Sequence, residues 1–129
     1  MEVEHIGFRV SQPISMAEWY VKNFGFQAKK QNGDDNGGGA FILDKGGKVL
    51  LEIFADPKMK AFQPDKESLL TVHLAFASED IDQDIKRLEK AGAGFVEKNT
   101  NENTGDKIAL MLDPWGYPIQ IAQRRNKIT

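Results

Sequence analysis

T-V-H-L-A-F, residues Thr71 to Phe76, restates the H-I-G-F of His5 to Phe8, and both histidines of the protein sit in this repeated phrase. His5 and His73 stand 68 residues apart, as do Glu52 in K-V-L-L-E-I-F and Gln120 in G-Y-P-I-Q-I-A. Between these landmarks, W-Y-V-K-N-F-G-F answers R-L-E-K-A-G-A-G-F, each an amphipathic segment stopped by glycine. Self-similarity at one offset marks a module written twice. The expectation is a single domain of two repeats, 1–54 and 70–129, joined by a linker at 55–69.

Working outward, Glu2 to Val10 alternates as a strand does, with Val3, His5, Gly7 and Arg9 on one face. Ser15 and Glu18 read as a capping box, and Met16, Ala17, Tyr20, Val21 and Phe24 follow at helical spacing until Gly25. A strand at Phe26 to Gln31 then runs into N-G-D-D-N-G-G-G, which lacks the spaced ligands of a calcium loop and reads as a mobile hairpin tip. Ala40 to Leu43 and Lys48 to Phe54 form the next hairpin, with Leu50, Glu52 and Phe54 sharing a face. In the second copy Asp80 and Gln83 cap a helix whose stripe is Ile81, Ile85 and Leu88. The acids around it favour the helix dipole and need no further role. Strands at Phe95 to Lys98 and Ile108 to Leu112 follow, then a D-P-W-G type I turn and a last strand carrying Gln120.

A chain of 129 residues with 40% hydrophobic and 28% charged residues belongs to a globular protein. No apolar run approaches a membrane span and the first ten residues do not read as a signal peptide, so the expectation is a cytoplasmic protein with no membrane partner. The absence of cysteine excludes disulfides, thiolate metal sites and a cysteine nucleophile. With a net charge of −2 and basic residues dispersed except for Arg124, Arg125 and Lys127, read as a solvated tail, no nucleic-acid partner is expected.

Each copy contributes a histidine at its first strand and a Glu or Gln on its last. If the copies pack as twofold mates, His5, Glu52, His73 and Gln120 converge. Two imidazoles, a carboxylate and an amide oxygen suit one divalent ion of zinc, nickel, cobalt, iron or manganese, with positions open for a substrate. A single histidine in an apolar strand is more often a core residue. Recurrence of both histidines and an acid/amide pair on one offset argues for ligands instead.

At these residues the chain resembles the vicinal oxygen chelate superfamily, which includes glyoxalase I, extradiol dioxygenases, fosfomycin-resistance enzymes and bleomycin-resistance proteins. The resemblance rests on E-H-I-G-F-R-V, W-Y-V-K-N-F-G-F, V-L-L-E-I-F, V-H-L-A-F, D-I-D-Q-D-I-K-R-L-E-K-A-G and D-P-W-G-Y-P-I-Q-I, nearly the whole chain. It implies an α+β fold of tandem βαβββ modules curling around a cleft, a homodimer, a small-molecule substrate, and metal positions at His5, Glu52, His73 and Gln120. It also implies a glyoxalase-type lyase or isomerase in which Glu52 is the catalytic base. Two departures stand out. Gln120 occupies a position that is glutamate in many relatives, and Tyr117 replaces the asparagine of the D-P-x-G-N turn. The alternative reading is a metal-free, bleomycin-resistance-like binding protein. Arg9 is a candidate partner for an anionic substrate, and Phe8, Phe54, Phe76, Trp19 and Trp115 are candidate pocket walls.

Overall fold

Strand β1 (Ile6–Arg9) leads into helix α1 (Pro13–Phe24), which Gly25 ends at a left-handed φ of 66°. Strands β2 (Gln27–Asn32), β3 (Gly39–Leu43) and β4 (Val49–Phe54) complete the first βαβββ unit. A single 3₁₀ turn at Leu69–Thr71 precedes β5 (Leu74–Ala77), α2 (Ile81–Lys90), β6 (Gly94–Thr100), β7 (Lys107–Leu112) and β8 (Pro118–Gln123), the second such unit. The computed structural model describes residues 1–128, and the side chains of all of these except Val49 and Leu50. Leu50, expected beside Glu52, thus lies outside the described side chains. The chain divides into two compact units, Met1–Phe62 and Gln63–Thr129.

Both sheets are built alike. The first has the order β1-β4-β3-β2 and the second β5-β8-β7-β6, with the pair β1/β4 or β5/β8 parallel and the remaining pairs antiparallel. The fold class is therefore α+β with tandem βαβββ units. The 68-residue offset reappears as strand register: Gly7 pairs with Glu52, and Ala75 with Gln120. In the first unit α1 buries Met16, Ala17 and Tyr20 over a sheet whose Ile42, Leu51 and Ile53 are also buried. In the second, Ile81, Ile85 and Leu88 of α2 cover Ala109, Met111, Ile119 and Ile121. Each such side chain contributes about 1.5 to 3 kcal/mol of transfer free energy, which makes these two layers the main source of stability.

Several expectations are corrected. The first strand of each unit is shorter than its alternation suggested, so His5 and His73 sit immediately ahead of β1 and β5 instead of within them. Pairing with β4 and β8 sets this limit, because a strand without a ladder partner leaves its backbone groups to water. The Ser15/Glu18 capping box does not form. Helix α1 begins at Pro13, whose missing N–H suits the first helical position, and the next two N–H groups are capped from afar by Asp35. The N-G-D-D-N-G-G-G loop is thereby tied to the helix. Within it the Asp34 carboxylate accepts from the N–H of Asn36 and the Asp34 carbonyl from that of Gly38, so both acids have structural partners. Of the basic C-terminal residues, half-buried Arg124 is tied to Asp106 at 3.0 Å, whereas Arg125 and Lys127 are exposed, Lys127 pairing with Glu79 at 3.0 Å on the surface. The capping of α2 by Asp80, which accepts from the N–H of Gln83, and its apolar stripe match expectation. The D-P-W-G turn closes with Gly116 N–H donating to Asp113 O at 2.9 Å.

Candidate metal and substrate site

Alternation along β4 sends Glu52 and Phe54 to one side of the first sheet, and register aligns Gly7, Glu52 and Phe41 in one row across it. His5, just ahead of β1, sets its ring edge-on to Phe41 with centroids 5.3 Å apart and brings Nε2 to 3.4 Å from Glu52 Oε2. Gly7 fits this row because a β-carbon there would stand 3.4 Å from the same carboxylate oxygen. Both side chains are partly open to solvent, 28% for His5 and 35% for Glu52.

Hydrogen bonds orient both imidazoles. His5 Nδ1 lies 3.0 Å from Glu4 Oε2 and Nε2 3.4 Å from Glu52 Oε2, so carboxylate oxygens flank both ring nitrogens. Glu4 is 85% exposed, so the contact orients the ring more than it stabilises the fold. In the second unit His73 Nδ1 lies 3.0 Å from the carbonyl oxygen of Leu70 in the preceding turn. A carbonyl can only accept, so Nδ1 carries the hydrogen of this contact. Outer partners of this kind are what fix the tautomer of metal-binding histidines. Gln120, half-buried on β8, is placed by register where Glu52 stands on β4. Among the described residues no three or more His, Cys, Asp or Glu side chains group as a metal cluster, and of the four expected ligands the pair in contact is His5 and Glu52.

Glu52 opens onto a cleft of about 370 Å³ whose wall includes Lys30, Phe41, Phe54, Asp56 and the glycines at 37–39. Close packing requires glycine at two of these. A β-carbon on Gly38 would collide with the backbone oxygen of Asn32, and one on Gly39 would lie 2.9 Å from Ile53 O. In the second unit a cleft of about 460 Å³ is bordered by Phe76, Ser78, Arg124 and Lys127.

Of the expected walls, Phe54 and Phe76 line clefts. Phe8 packs on Phe62 at 5.7 Å, and Trp19 belongs to a cluster with Tyr20 and Phe24 along α1. Trp115 is half-buried at the β7–β8 turn. Arg9 is not presented to a substrate: its guanidinium donates to Asp56 O from Nε at 3.2 Å and Nη2 at 2.9 Å, and to Val10 O from Nη1 at 3.3 Å. Its role is to pin the chain that leaves β4. Lys30 on the cleft wall has no sequence signal, because its direction is set by an irregularity in the β2–β3 pairing.

A family model described as Glyoxalase/Bleomycin resistance protein/Dioxygenase superfamily matches residues 2–121. No curated protein matches the chain. Among solved structures, the glyoxalase family protein from Enterococcus faecalis is similar at 26% identity and a TM-score of 0.71, with 95% of this chain and 97% of that chain covered. The antibiotic binding protein TnmS3 from Streptomyces sp. CB03234 shares the fold at 20% identity and a TM-score of 0.67, covering 96% of each chain. The fosfomycin resistance protein FosX from Listeria monocytogenes does so at 13% identity and a TM-score of 0.73, with 99% and 95% covered.

Proposed function

Because this chain belongs to the glyoxalase/bleomycin resistance protein/dioxygenase superfamily, we propose that it is a divalent-metal-dependent lyase or isomerase of glyoxalase type acting on a small substrate with neighbouring oxygen atoms. The approach of His5 Nε2 to Glu52 Oε2 at 3.4 Å is the main support. Two donors that each stand about 2.1 Å from a tetrahedral ion lie roughly 3.4 Å apart, so the pair has the spacing of two ligands. The imidazole nitrogen and the carboxylate oxygen face one another across this gap, as two ligands of one ion would. His73 and Gln120 complete the proposed set on the repeat offset, Gln120 through its amide oxygen.

A divalent ion held there would supply Lewis-acid polarisation of a substrate carbonyl. Glu52 is the only carboxylate of the four, and it takes a proton from the carbon beside that carbonyl and returns it. Gln120 can orient but cannot accept a proton. We further propose a homodimer on the family pattern, which light scattering would report as twice the 14.4 kDa chain mass. Calorimetric titration with nickel or zinc tests the metal. One ion per chain in the wild type, with affinity at least tenfold weaker in His5→Ala and His73→Ala, is the expected result, and no stoichiometric uptake by the wild type would end the proposal.

The second reading is a metal-free binding protein, favoured by the amide at position 120 and by the similarity to a protein described as antibiotic-binding. It differs in requiring that His5→Ala and His73→Ala leave ligand binding intact.

A further inference from the structure

Strand β2 pairs Gln27, Ala28 and Lys29 in regular register with Leu43, Ile42 and Phe41, then slips before Asn32 meets Gly39. Lys30 lies in the slip with a φ of 48°, a left-handed conformation, and among the described residues it is the only one other than glycine with positive φ. The irregularity changes where its side chain goes. Lys29 pairs with Phe41 and faces the Phe41–Glu52 side of the sheet, so strict alternation would send Lys30 to the other side. Instead its Nζ stands 5.8 Å over the Phe41 ring, and the side chain borders the same cleft as Glu52. Among the described residues this ammonium makes no ion pair, whereas Arg9 on the same sheet is committed to backbone carbonyls. Bulges beside functional clefts re-aim a side chain in this way.

We propose that Lys30 is the specificity-determining residue of the Glu52 cleft, recognising an oxyanion, carboxylate or phosphate, carried by the substrate. The Phe41 face holds the ammonium on the cleft wall by a cation–π contact, leaving its N–H groups free to donate to the anion. Glu52 and Lys30 then divide the work, one facing the reacting C–H and the other the charged end. This rests on the reading of Glu52 as the base, and its test reads a different quantity from metal uptake.

Binding of three hydroxyketone probes by calorimetry tests it: neutral hydroxyacetone, dihydroxyacetone phosphate and 5-hydroxylevulinate. The wild type is expected to prefer at least one charged probe over hydroxyacetone by roughly tenfold, the scale of one charge-assisted hydrogen bond. Which charged probe is preferred separates phosphate from carboxylate. Lys30→Gly, which suits the positive φ, and Lys30→Ala should both erase the preference, and Lys30→Arg should keep it. A preference that survives Lys30→Gly, or a wild type that binds neither charged probe better than hydroxyacetone, overturns the proposal. Nickel titration of the same samples separates this failure from failure of the metal site, since Lys30→Gly is expected to bind nickel as the wild type does.

Discussion

Asp35 accepts the hydroxyl hydrogen of Ser15 at 2.6 Å through Oδ2, and through Oδ1 the backbone N–H groups of Ile14 at 2.8 Å and Ser15 at 3.1 Å. A carboxylate in the β2–β3 connection thus caps a helix laid down some twenty residues earlier. The Gly37–Gly39 wall of the Glu52 cleft follows directly after it in the chain.

Replacing Asp35 by alanine should cost about 1 kcal/mol, the usual scale of a lost helix cap, read as a shift of the urea midpoint. Partial desolvation works against the charge on Asp35, but hydrogen bonds from the Ser15 hydroxyl and the Ser15 and Ile14 amides outweigh it, and its pKa falls below the ordinary 3.8. A lowered acid stabilises the fold above its unfolded value, and that contribution is lost as pH falls through the folded value. The stability gap between wild type and Asp35→Asn should therefore be largest near neutrality and close as pH falls below the ordinary carboxylate value of 3.8 and through the lowered folded one. A gap that stays constant across that range would remove the carboxylate charge from the explanation.

Asp113 is 3% exposed and its Oδ1 accepts the N–H groups of Trp115 and Tyr117, both at 2.9 Å. Asp113→Ala leaves both amides without this acceptor beneath the β7–β8 turn. The expected loss is about 2 to 3 kcal/mol by thermal or chemical unfolding, clearly more than for Asp35→Ala.

On the proposed reading, Glu52→Gln keeps an oxygen donor and removes the base. Solvent deuterium exchange into hydroxyacetone, followed by NMR at saturating nickel, should slow on the order of a hundredfold or more, while nickel affinity falls only on the order of tenfold through the lost charge. Equal exchange rates in the two proteins would disprove the assigned role.

Gln120→Glu installs a second carboxylate at the position equivalent to Glu52. Divalent-ion affinity should rise on the order of tenfold through the added charge. An unchanged affinity would remove position 120 from the ligand set.

Much of the fold was legible because its organising signal is a repeat. One offset carried the histidines, the glycine-stopped helices and the last strands, and it emerged as register, Gly7 to Glu52 and Ala75 to Gln120. What stayed hidden is nonlocal. No pattern around Ser15 reveals that its cap is Asp35, and no alternation rule anticipates a bulge that turns Lys30 toward Phe41. Arg9 shows the converse limit. Its face followed from the strand pattern, but its commitment to Asp56 O depended on where the chain goes after β4. His5 and Glu52 could be singled out together because β1, which His5 immediately precedes, pairs in parallel with the β4 strand that carries Glu52.

Gln120 in the register position of Glu52 has a stereochemical consequence. An enzyme that inverts a carbon centre needs bases on both faces of the planar intermediate, whereas a lone carboxylate must lift and return hydrogen on a single face. On the proposed reading, with Glu52 as the one base, the expected chemistry is suprafacial transfer between adjacent carbons with one product hand. Scrambled chirality in the product from a deuterium-labelled substrate would contradict this.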